Sequence, residues 1–121
     1  MSELKKFIFV KGDYAGFHKW DKAPEVVGFL RYPHRHLFKF KTTLLVTHDD
    51  RELEFFMVQN EVMLFIQDNF DFKDLGSCEM QAEKIFNFLE KKYPGRPLTV
   101  MVSEDGENGA VVARGEDEKS I

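Results

Sequence analysis

The run HLFKFKTTLLVTH, from His36 to His48, sets Phe38, Phe40, Thr42, Leu44 and Val46 on one side of a two-residue period. Leu37, Lys39, Lys41, Thr43 and Leu45 fall on the other side. This is the alternation of a long β-strand. At ~3.3 Å per residue it extends about 40 Å from His36 to His48. A chain of 121 residues supplies one domain with one modest core, so the remaining segments must pack around the sheet to which this strand belongs.

KKFIFVKGDYAGF, from Lys5, reads as an earlier strand with a bend or bulge at Gly12 or Gly16, and His18 follows at once. HKWDKAPEVVGFLRYP is a loop punctuated by Pro24, Gly28 and Pro33. After the long strand, HDDRE predicts a turn and RELEFFMV a further strand, its hairpin partner. VQNEVMLF, Val58 to Phe65, fits a short helix or continued strand, and DNFDFKDLG, Asp68 to Gly76, a loop. Ser77 then caps a helix, because Ala82, Ile85, Phe86 and Leu89 recur at helical spacing. Lys91 and Lys92 suit its negative end, and Pro94-Gly95 stops it. RPLTVMVSE and AVVAR are two last strands about a turn carrying Asp105-Gly106 and Asn108-Gly109. The expectation is an α+β domain with an antiparallel sheet over residues 1–114, followed by a flexible acidic tail, 115–121.

Net charge bears on partners. At −4 the chain lacks the surplus of Lys and Arg that a nucleic-acid backbone requires, which makes that partner unlikely. A local basic strip, Arg31, Arg35, Lys39 and Lys41, fits either an anionic small molecule or a solvated strand face. The single cysteine, Cys78, permits no intramolecular disulfide and suits a reducing compartment. No signal-peptide core opens the chain, and no apolar run approaches the ~20 residues that span a bilayer. The expected location is the cytoplasm, with no membrane partner.

YPHRHLF carries the chemistry. Residues two apart on a strand share a face, so His34 and His36 aim both imidazoles one way while Arg35 points away. Two histidines so placed are a surface pair or two ligands of a metal. A catalytic zinc takes three protein ligands, with neutral imidazole a common donor, and His18 at the end of the first strand is the best-placed third. His48, at the far end of the long strand, is too distant to join them and is assigned to the turn.

YAGFH, a loop, and then HRHLFKFKTTLLV resemble the opening of the 6-pyruvoyl-tetrahydropterin synthase and 6-carboxytetrahydropterin synthase family. There, a histidine closes an F-x-A-A-H-type segment and an H-G-H-N-Y motif opens a long strand. LEFF, SCEMQAEKIFNFL and VMVSEDGENGAVV are similar, in order, to that family's later motifs. The resemblance covers about residues 5 to 113. It implies the tunnelling fold, a β-β-α-α-β-β subunit whose antiparallel sheet carries helices on one face and which assembles as a homo-oligomer into a barrel with sites between subunits. It further implies zinc on His18, His34 and His36, and Glu104 holding the ring N–H groups of a pterin, purine or nucleotide. A carboxylate suits that task because it offers two acceptors to paired donors. Glu79 matches the family's helix-start glutamate, although a helix N-terminus favours an acid there in any case.

The chain departs from the family at the catalytic groups. EVVGFLRYP lacks the cysteine expected ahead of the histidine pair, and FDFKDLG keeps Asp71 but has Phe72 where a histidine belongs. Cys78 aligns with a variable position and reads as a small buried side chain. Three readings follow. The chain is a zinc-dependent carbon–oxygen-lyase-like pterin synthase with Asp71 moving protons, in a queuosine-like or folate-like pathway. It is a zinc-containing module that binds or sequesters a heterocycle without turnover. Or it holds a structural zinc beside a protein-binding surface, against which stands the lack of a convenient fourth ligand in the sequence.

Overall fold

The computed structural model describes residues 4–115; the tail expected over 115–121 lies outside them apart from Gly115. The elements are β1 (Lys6–His18), β2 (His34–Val46), α1 (Phe55–Asn69), α2 (Cys78–Lys92), β3 (Leu98–Glu104) and β4 (Asn108–Ala113). The four strands form one antiparallel sheet in the order β1-β2-β3-β4. The fold is therefore α+β with helices packed on a sheet, in the β-β-α-α-β-β element order that the resemblance implies.

Alternation decides which face the helices cover. Val10, Tyr14, Phe38, Phe40, Leu44, Leu98, Val100 and Val102 point to one side, where they meet Val58, Val62 and Ile66 of α1 and Ala82, Ile85, Phe86 and Leu89 of α2. Thr42 sits in the same buried layer and donates its hydroxyl to the Thr99 carbonyl at 2.9 Å, which satisfies that buried polar group. The opposite face has no helix among the described residues. Phe7, Phe9, Phe17, Leu37 and Val111 are exposed there, and Lys41 stands 4.7 Å over the Phe9 ring.

Two expectations are corrected. RELEFFMV is not a strand: its second half opens α1, and the hairpin partner of β2 is β1. Val58, Val62 and Ile66 recur every four residues, so a helix buries all three on one stripe where a strand would bury them at the expense of their neighbours. Glu54 caps the helix, its side chain accepting from the Met57 amide at 2.9 Å. Nor is β1 bulged. Its register against β2 runs without a slip from Lys6↔Val46 to His18↔His34. Gly12 and Gly16 answer to crowding instead: a Cβ at Gly12 would lie 2.4 Å from the Phe40 ring, and one at Gly16 2.5 Å from Leu75 Cδ1.

The other segments largely follow the sequence reading. Ser77 caps α2 by accepting from the Met80 amide at 3.1 Å. The loop between β1 and β2 is tightened by 3-10 turns over Glu25–Arg31, interrupted at Val27. The loop after α1 begins at Phe70 and docks along the end of β1, with Phe17 N–H donating to the Phe72 carbonyl at 3.0 Å and Leu75 N–H to the Phe17 carbonyl at 2.8 Å. No helix among the described residues is long and apolar enough to cross a membrane.

At the far end of the sheet, Glu52 gathers the amide and hydroxyl of Thr47 at 2.7 and 2.6 Å and the Arg96 guanidinium at 2.6 Å. Those Thr47 and Arg96 hydrogen bonds hold its carboxyl at about 2, against an ordinary 4.5. A depressed carboxylate stabilises the fold above its unfolded value and loses that contribution as pH falls toward the folded one. Glu52→Gln is therefore expected to narrow its stability deficit against wild type as pH falls from about 4.5 toward 2; a deficit independent of pH in urea denaturation would contradict this. Gly12→Ala is expected to destabilise by about 1–3 kcal/mol, because the Phe40 ring it meets is packed and has nowhere to move.

Candidate metal centre

The β1–β2 register places His18 directly opposite His34, and His36 follows two residues along β2 on the same face. Ring centroids lie 4.5 Å apart for His18–His34, 5.2 Å for His18–His36 and 5.1 Å for His34–His36. One ring nitrogen from each histidine falls within 4.8 Å of the other two. The histidines that the sequence singled out are thus brought together, and His48 is not: it accepts from the Asp50 amide in the distant turn.

Second partners fix which nitrogen is offered. His18 Nδ1 lies 2.9 Å from the Gly76 carbonyl, His34 Nδ1 2.8 Å from the Tyr32 carbonyl, and His36 Nδ1 2.7 Å from an Asp105 carboxylate oxygen. Each of these oxygens only accepts, so each Nδ1 carries the proton and donates. In a neutral ring the lone pair is then on Nε2. The Nε2 atoms of His18 and His34 are buried and have no hydrogen-bond partner among the described residues. A buried acceptor left unmatched is costly unless something occupies it, and a pair of such acceptors on neighbouring imidazoles fits a cation of zinc's kind.

The His18 anchor is itself supported. Gly76, at φ +79, turns the chain into α2 in a conformation that side chains rarely adopt. Its carbonyl accepts from both His18 Nδ1 and Gln81 Nε2, each at 2.9 Å. Gln81 is fully buried and in turn accepts from the Tyr14 hydroxyl at 2.8 Å. Burial pushes the Tyr14 phenol well above its ordinary value, so it stays a donor.

Glu104, at the end of β3, reaches the centre. Its Oε2 stands 2.9 Å from His36 Nε2 and 3.9 Å from His18 Nε2. The expectation that the chain offers no fourth ligand meets this carboxylate. Beside the centre opens a cavity of about 690 Å³, lined by His18, His34, Trp20, Glu79, Cys78 and Glu104, among others. Glu79 is exposed at its rim, in the first turn of α2. Burial, reinforced by Glu104 and Glu79, pushes the Cys78 thiol up to about 12, which keeps it protonated and weakly nucleophilic near neutrality.

The remaining candidates lie elsewhere. Asp71 is exposed in the loop after α1 and accepts from the Lys73 amide; Asp74, three residues on, is the loop acid that lines the cavity. Arg35, Lys39 and Lys41 occupy the odd positions of β2, on the sheet face opposite the histidines, and Arg31 donates to the Ala23 carbonyl. Arg35, Lys39 and Lys41 therefore do not face the centre within one chain. Trp20, Asp74 and Asp105 are at the site and are not singled out by the sequence reading. Trp20 followed a histidine inside what reads as a loop, and Asp105 was absorbed into a turn dipeptide; the signal for Asp105 was its place next to Glu104 at a strand end.

No protein-family model matches the chain, and no curated protein matches it either.

Proposed function

We propose that the chain is a zinc-dependent, pterin synthase-like protein of the cytoplasm, acting on a pterin or a purine-related heterocycle. The observation that carries the reading is the set of Nδ1 anchors on His18, His34 and His36, which leaves the Nε2 atoms of His18 and His34 without a partner among the described residues and sets that of His36 against Glu104 Oε2, with the three rings drawn together. Zinc held there would polarise a carbonyl or hydroxyl oxygen of the ligand. Glu104, which lines the cavity, would accept ring N–H groups, and Trp20, half exposed, offers a flat wall for a planar ring. Asp74, which lines the cavity, would be the aspartate to move a proton there.

The same reading takes the subunit as one segment of a tunnelling-fold barrel. Among the described residues β4 pairs with another strand on one side only, as does β1, whose outer edge the loop after α1 covers at Phe17, and the helix-free face exposes Phe7, Phe9, Phe17, Leu37 and Val111. Uncovered edges and aromatics of this kind are what further copies of the chain would cover.

A second reading, binding without turnover, is favoured by Cys78. A thiol held at about 12 does not serve as the nucleophile or proton carrier that the family uses, and Phe72 stands where the partner histidine would be. A third, a closed zinc site of three histidines and Glu104, is favoured by the 2.9 Å approach of Glu104 to His36.

Metal analysis of the purified chain tests the zinc that all three readings share. Stoichiometric zinc is expected in wild type and its loss in His18→Ala and His34→Ala; full retention in both variants would discard the centre. Trp20 is the only tryptophan and lines the cavity, so its fluorescence should respond to added pterins and guanine compounds. Glu104→Gln is expected to weaken that response at least tenfold, the scale of a lost charge-assisted pair, while zinc stays bound. Loss of zinc in this variant would instead make Glu104 a ligand. Mass spectrometry of the incubated ligand then decides between turnover and sequestration.

A further inference from the structure

His36 differs from the other two histidines in what holds it. Backbone carbonyls anchor His18 and His34, whereas His36 alone donates to a side-chain carboxylate, that of Asp105. Asp105 is built in on several sides. Its Oδ1 accepts from the Leu37 amide at 3.0 Å and its own amide donates to the Leu37 carbonyl at 2.7 Å. It also adopts a left-handed φ of +57, an arrangement that costs free energy for a side chain with a Cβ and persists only where its surroundings fix it. The strand β2 backbone thus grips Asp105 through Leu37, and Asp105 grips the imidazole one residue earlier.

We infer that Asp105 is the positioning residue of the metal centre: it fixes the tautomer and orientation of His36 so that Nε2 is presented as the ligating atom. The inference rests on the zinc reading above. Both carboxylate oxygens are committed as acceptors, one to Leu37 N–H and the other to His36 Nδ1–H. Asparagine has the same shape but a single acceptor. If its oxygen keeps the Leu37 amide, its NH2 faces Nδ1 and favours the opposite tautomer, which puts a proton on the nitrogen that the metal needs. If it keeps Nδ1, the Leu37 amide loses its partner. Either way the carboxylate's contribution to ligand basicity disappears.

The test is the zinc affinity of the full chain, by chelator competition at fixed pH, for wild type, Asp105→Asn and Asp13→Asn. Asp13 lies on the helix-free face beside Lys39, so its substitution removes the same charge away from the centre. The expected result is a loss of about 10- to 100-fold for Asp105→Asn, with Asp13→Asn unchanged. Equal affinity in wild type and Asp105→Asn, or equal losses in both variants, would overturn the role of Asp105 while leaving the metal centre standing. A wild type that binds no zinc would overturn both. Imidazole 15N spectra of the zinc-loaded wild type test the inference without any variant: Nε2 ligation with a slowly exchanging Nδ1 proton on His36 is expected, and ligation through Nδ1 would overturn it.

Discussion

The pairing of β1 with β2 is the constraint on which everything else depends. Its register runs unbroken from Lys6↔Val46 to His18↔His34. Because side chains alternate faces, a slip of one residue would carry Phe38, Phe40 and Leu44 out of the core and reverse His34 and His36 in the same movement. Core and centre are therefore specified by a single choice. The apolar residues in the middle of these strands supply the driving force that holds the histidines at one end in line, so the centre inherits its geometry from packing some distance away.

The glycines of β1 contribute by what they leave out. Phe40 lies against Gly12, and Leu75 lies against Gly16. The second contact lets the loop after α1 come close enough to hydrogen-bond to both the N–H and the carbonyl of Phe17. That loop then delivers Gly76 to His18 and Ser77 to the start of α2. The helix, the loop and the strand end meet over a few residues, which explains why the cavity beside the centre has walls from all three.

Much of the fold was legible because period and punctuation agreed. β2 announced itself by alternation, and α2 by helical spacing bounded by Ser77 and Pro94. α1 was hidden for two physical reasons: FFMV has the aromatic and β-branched character of a strand, and its cap is Glu54 rather than one of the short polar residues that usually mark a helix start. The histidine cluster was legible from strand parity alone. The rest of the site was not, because Asp105 and the Tyr32 and Gly76 carbonyls act through tertiary approach, and a carbonyl has no sequence signature. Parity also separated the basic strip from the histidines, since Arg35, Lys39 and Lys41 sit at odd positions of the same strand.

Gly76 carries a burden disproportionate to its size. One backbone oxygen at this position serves a ring nitrogen of β1 and a side-chain amide of α2, while the residue's left-handed turn starts the helix. Orientation of an imidazole, satisfaction of a buried amide and direction of a helix are thus mechanically one property. With a metal on the histidines as proposed, a change at residue 76 would surface as weakened metal retention although every ligand remained in the sequence, so a search for tolerated substitutions that watched only the histidines and acids would miss this position.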